Sequence, residues 1–172
     1  FPARAMIVAA MNPCPCGYYG DLTRSCRCSP SMIRRYPGKI SGPLLDRIDL
    51  HVEVPSVPYT KLRDQTKGEP SSAIRARVQA ARDVQAKRLG DSGVYCNAMM
   101  NSQQLRQHCA LDDSAESMLA VAMTTLLLSA RGHDRILKVA RTIADLAGSE
   151  KIDTPHLLEA IQYRSLDRNL FY

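Results

Sequence analysis

Two Cys-x-Cys pairs constrain this 172-residue chain more than any other feature. Cys14/Cys16 and Cys26/Cys28 lie nine residues apart, in a stretch from 13 to 30 holding Pro, Gly and Tyr but no hydrophobic periodicity. A segment without an apolar face cannot order itself by burial, so it needs a staple of its own. Four thiolates can converge on a tetrahedral zinc ion, with turns supplied by Pro15, Gly17 and Gly20. Single-residue spacers are less usual in zinc sites than two-residue ones. Paired disulfides, or free thiols that merely pack, are the other readings. A four-thiolate site would be structural, because it leaves no open position for water. Cys96 and Cys109 lack partners at ligand spacing and read as small buried hydrophobes.

The cytoplasm is the expected compartment. It has no basic-then-apolar secretory start, and no apolar run near the ~18 residues that cross a bilayer. Six cysteines in that setting fit a reducing cytoplasm, where paired cysteines point to metal more often than to disulfides. Opening on Phe1 rather than Met, directly before a strand-like run, suggests a piece of a longer protein.

Three further positions carry candidate chemistry. The run Met6–Met11 is wholly apolar and stops at Asn12-Pro13, which predicts a buried strand with a carboxamide at its tip. α/β proteins bind ligands at such strand ends, where Asn12 could orient a nucleophile; a turn cap before Pro13 is the plainer reading. Arg47 stands between Asp46 and Asp49 in GPLLDRIDL. A forked, permanently charged donor held by carboxylates can project towards an anion, or it can form a structural ion pair with either acid. Arg131 opens a long helix just after Ser129-Ala130, where the helix N-terminus favours anions. For Arg135, Lys138 and Arg141 on the same helix, a solvated charged face is the default.

The layout reads as strands first and helices after. A strand over 6–11, the Cys-rich loop, a helical turn over 31–36 and a second strand over 49–54 make an α/β half, residues 1–60. A polar linker spans 61–70, and an all-helical domain fills 71–172. Helices are expected from Ser71 or Ser72 to Leu89, with Ile74, Val78 and Ala81 on the buried face, and from Ser102 to Cys109. Further helices are expected from the box Asp113-x-x-Glu116 to Ser129, from Arg131 to Ala147 with Gly148 as its stop, and from Thr154-Pro155 onward.

Net charge is +6, from 23 Lys+Arg against 17 Asp+Glu. That is compatible with nucleic acid but does not demand it, and 5% aromatic content gives no evident base-stacking surface. Arg75, Arg77, Arg82, Lys87 and Arg88 could meet phosphates or simply coat a soluble helix.

In order, MIVAAMNPCPCG, IRRYPGKISGPLLDRIDLHVEVP and LSARGHDRILKVARTIADL resemble the rear part of magnesium-chelatase-like AAA+ ATPases, closest to the bacterial ComM/YifB branch. The resemblance spans essentially the whole chain. It implies the end of a parallel-stranded AAA+ core followed by a helical lid. Asn12 would then be sensor 1, Arg47 the arginine finger reaching a neighbour's nucleotide, and Arg131 sensor 2. It further implies ATP with Mg as cofactor, a self-assembled ring (a hexamer by family habit), and DNA as partner of a branch-migration helicase in recombination and natural transformation.

No G-x-x-x-x-G-K-[ST] loop and no acidic Walker B strand occurs in the chain, so both are expected upstream of Phe1. By itself the chain should not hydrolyse ATP. Two other functions stay open: an ATPase subunit for metal insertion into a tetrapyrrole, and a zinc-stapled nucleic-acid-binding module without enzymatic activity.

Overall fold

The structure is a computed structural model that describes residues 5–21, 23–57, 63 and 68–164. The chain divides between Ser41 and Gly42 into two compact units. In the first, Gly17 and Gly20 take positive φ (82° and 81°), the left-handed turns that glycine adopts without a Cβ clash. Gly17 N–H donates to the Cys14 carbonyl at 3.0 Å, closing the first turn of the Cys loop. Helix α1 (Pro30–Arg35) follows, with Ser29 as its N-cap, and a 3₁₀ turn over Pro37–Lys39 ends the unit.

The second unit is helical. After the single turn α2 (Gly42–Leu45) come α3 (Ser71–Leu89), α4 (Ser102–His108), α5 (Asp113–Thr125), α6 (Ala130–Leu146) and α7 (Thr154–Gln162). The starts of α4, α5 and α6 carry side-chain acceptors for otherwise orphaned amides, Asn101 for Gln104, Asp112 for Ala115 and Ser129 for Gly132, whereas α3 begins after Pro70 with no side-chain cap from Ser71 or Ser72. Asp112, one residue earlier than expected, is therefore the cap of α5. That helix also stops at Thr125, because Leu127 turns to φ 52° and frees Ser129 to cap the next one. Helix α6 runs through the centre, against α7, α3 and α4. Its Ile136, Leu137, Ala140 and Ala144 meet Leu89, Leu105, Leu119, Ile152, Leu157 and Ala160 in one core. On α3 the buried residues are Ala81, Gln85 and Leu89, whereas Ile74 and Val78 are exposed. The core begins only halfway along that helix, so the apolar side chains of its first two turns stay outside it.

The expected strands are not formed. Among the described residues there is no β-strand, so the parallel-stranded core is absent and the helical part of the expected fold stands. Met6, Ile7 and Val8 are 91%, 87% and 86% exposed, and Val52 and Val54 also face solvent. β-propensity is a preference for pairing on a pleated, half-buried surface, and no neighbouring strand is present to pair with. The expected linker lies outside the described residues except for Arg63 and Gly68–Pro70. Residues 42–51, which the sequence groups with the α/β half, pack within the helical unit.

A buried polar network crosses this unit. Asp145, with no exposed side-chain surface, accepts two bonds from Arg88 (2.6 and 2.9 Å), one from Asn97 (2.8 Å) and one from Arg141 (3.1 Å). Burial alone would raise its carboxyl. The bonds from Arg88 and Asn97 and the charge of Arg141 outweigh that and hold it below the ordinary value. Arg141 is thus not part of a solvated face: it is 2% exposed and also donates to the carbonyls of Ser149 and Glu150.

Candidate functional site

The four cysteines come together. Cys14, Cys16 and Cys26 form a sulfur triangle with sides of 3.4, 3.7 and 3.6 Å, and all four Sγ atoms lie within 4.8 Å of one another. None is bonded to another as a disulfide. A tetrahedral ion with metal–sulfur bonds of ~2.3 Å sets its ligands ~3.8 Å apart, so this spacing suits a metal of zinc's size. Backbone N–H groups of Tyr18 and Arg27 lower the Cys16 thiol to about 6, while burial pushes Cys28 up to about 12. Clustered thiols cannot all ionise unaided; a cation among them would let them do so. Cys109 is buried, as expected, and Cys96 half-buried.

Asn12 belongs to this same unit. Its side chain is exposed and lies beside Gly17, where an added Cβ would meet the carboxamide at 3.8 Å.

Arg47 and Arg131 both belong to the helical unit, on segments that are bonded together. Asp46 accepts a hydrogen bond from Ser129 Oγ at 2.8 Å and faces Arg164, 3.7 Å away. Asp49 pairs with Arg135 one turn into α6, Arg164 donates to the Ile48 carbonyl, and His51 N–H donates to the Tyr163 carbonyl at 2.9 Å. The loop carrying Arg47 is therefore fixed to the start of α6 and the end of α7. Both acids of the DRID string are turned to other partners, which overturns the expectation of an arginine held by its neighbouring carboxylates. Arg47 instead donates to the Pro43 carbonyl at 2.7 Å and is exposed. Arg131 is exposed as well, and among the described residues neither arginine forms an ion pair. The field of this region is positive: Arg135 holds its proton less firmly because of burial first, then because of Arg164 and Arg47, with Asp46 opposing.

Sequence reasoning missed Asp46 and Ser129 as a pair and Arg164 as their anchor. The S-x-R string signals the cap of α6 but says nothing about a partner 83 residues away. Nothing in the pattern around Arg164 marks a side chain that is 1% exposed.

Residues 1–62 match the profile of the magnesium chelatase subunit ChlI family, and residues 68–164 match that of the ChlI C-terminal region. The chain is 44% identical to the competence protein ComM of Haemophilus influenzae, over 99% of this chain and 32% of that protein. It is 42% identical to the uncharacterized protein YifB of Escherichia coli, over its whole length and 33% of that protein. Identity to an uncharacterized protein of Mycobacterium bovis is 38%, over 95% of this chain and 32% of that one. The chain thus spans about a third of the length of the curated relatives it matches. Among the described residues no helix is long and apolar enough to cross a membrane.

Proposed function

Because the chain belongs to the magnesium chelatase ChlI family, within its AAA+ group, we propose that it is the sensor, arginine-finger and lid portion of a ring-forming ATPase. One observation carries this reading. The Asp46–Ser129 bond sets two exposed arginines, without acidic partners among the described residues, on neighbouring segments of one rigid unit. Guanidinium groups left unneutralised in a positive region suit the oligophosphate of ATP, and its Mg is expected from the family alone. Arg131, at the start of α6, would hold phosphate oxygens together with the helix N-terminus. Arg47 would reach the nucleotide of an adjoining subunit and stabilise charge developing on the transferred phosphoryl group. Asn12 would orient the attacking water. With no phosphate-binding loop in its sequence, the chain alone would not turn over ATP.

The name of the Haemophilus relative supports a role in competence, and we place the intact protein as a DNA motor of recombination and transformation, assembled as a hexamer. ATP turnover by the intact protein carrying Arg47→Ala tests the reading. Loss of an arginine finger costs ~10³–10⁵ in rate, and unchanged turnover would remove Arg47 from the chemistry.

A second element of the reading is structural zinc at Cys14, Cys16, Cys26 and Cys28, supported by the sulfur spacing. Zinc there would order the loop and leave no position for a reacting water.

A further inference from the structure

The chain has two basic regions, one in each unit, and their charges are differently committed. On α3, Arg77 is paired with Glu69 at 2.8 Å, Arg88 is taken into the buried Asp145 network, and Arg82 is bonded to Gln85. Among the described residues only Arg75 and Lys87 of that helix's cations form no ion pair or side-chain hydrogen bond, and Asp83 lies one turn from Lys87, bonded to Gln79. In the first unit the balance differs. Residues 5–41 carry Arg24, Arg27, Arg34, Arg35 and Lys39 against a single acid, Asp21, a net +4. All five cations are exposed, and among the described residues Arg27, Arg34, Arg35 and Lys39 form no ion pair or side-chain hydrogen bond. Three of the seven tyrosines also fall here, at 18, 19 and 36. Arg24 lies over the Tyr18 ring, and Tyr19 is exposed.

We propose that this Cys-stapled unit is the nucleic-acid-contacting surface of the chain, its exposed arginines and Lys39 gripping the phosphodiester backbone and Tyr19 offering a stacking face. The proposal rests on the zinc reading above for the rigidity of the loop. A compact body of this size has a radius of gyration of ~9 Å, close to the ~8 Å Debye length at physiological salt, so neighbouring cations reinforce one another's field. Four thiolates around a divalent ion add about −2 at the centre, and the backbone amides of Tyr18, Arg27 and Cys28 face that charge. The rim stays positive. Arg27 stands between two ligand cysteines and points outward while they point in, so folding the staple presents it. Long, flexible, unpaired cations with no enclosing pocket suit a repeating polyanion better than a small anion.

The test uses this chain prepared with zinc, a short fluorescent DNA duplex and a single strand of equal length, followed by anisotropy across a salt series. Zinc content is measured on every sample. The wild type should bind with an affinity that falls linearly on a log–log plot with salt. The triple variant Arg27→Glu, Arg34→Glu, Arg35→Glu should keep its zinc, lose at least tenfold in affinity, and flatten the duplex slope by about 0.9 per lost contact. Arg75→Glu with Lys87→Glu on α3 should change neither. An equal loss from the α3 pair, or no binding by zinc-loaded wild type at low salt, would overturn the surface. Arginine-dependent binding by a zinc-free chain would overturn the zinc reading and leave the surface standing.

Discussion

The carboxylate of Asp46 accepts a hydrogen bond from the hydroxyl of Ser129 at 2.8 Å, joining residues 83 apart in sequence. Each is a near neighbour of a candidate phosphate-binding arginine, Arg47 on one side and Arg131 on the other. Ser129 also accepts from Gly132 N–H at 3.1 Å, so one hydroxyl caps α6 and docks the Arg47 loop. One hydroxyl thus links the start of α6 to the segment that carries Arg47.

Ser129→Ala should destabilise the helical unit by about 1 kcal/mol through loss of the cap alone. A double-mutant cycle with Asp46→Ala isolates the docking bond, and a coupling of about 0.5–1.5 kcal/mol is expected from urea unfolding. Strict additivity would mean the two residues touch without stabilising each other.

Asp145→Asn should cost roughly 3–5 kcal/mol, since it leaves Arg88 and Arg141 facing each other without their shared counter-charge. Chemical denaturation reads this directly, and a loss below ~1 kcal/mol would show that water reaches the network.

The same carboxyl sets an acid limit. Its folded value lies below its unfolded value, about 3.9, so its stabilisation is fully present above that pH. It is lost as pH falls from there through the folded value. Stability of the helical unit should therefore drop more steeply below about pH 4 in the wild type than in Asp145→Asn, as thermal melts at graded pH would reveal.

Chelation is expected to act on one unit only. Removing zinc, or replacing Cys14 by Ser, should abolish amide-exchange protection across residues 13–28 while the melting of residues 71–164 stays in place. Uniform loss of protection in both units would contradict independent folding.

Leu127 adopts φ 52° in the linker between α5 and α6, with its side chain exposed. A left-handed non-glycine residue costs roughly 1–2 kcal/mol. Leu127→Gly should be stabilising by up to about 1 kcal/mol in the same unfolding assay, and a destabilised variant would show that the side chain contributes packing.

The helices were readable because their signals are local. Ser129, Thr154-Pro155 and Gly148 mark ends within one turn, and the stripe Ile136–Ala140–Ala144 repeats at helical spacing. Asp113-x-x-Glu116 misled by one residue because Asp112 offers the same chemistry and lies nearer the turn. Ile74 and Val78 misled because periodicity gives the face of a helix but not how far along it the core extends. The run Met6–Met11 misled more deeply: its composition suits a sheet, but a ladder requires other chains of backbone.

The cysteine spacing and the apolar periods, both short-range, were enough to determine that a loop would gather four thiols and that helices would dominate the later residues. What only tertiary structure decided was the pairing of charges. Asp46, Asp49, Arg88, Asp145 and Arg164 each take partners from distant elements, because a buried or half-buried charge is stabilised by whatever opposite charge or dipole the packing brings within reach, and packing is not written in neighbouring residues.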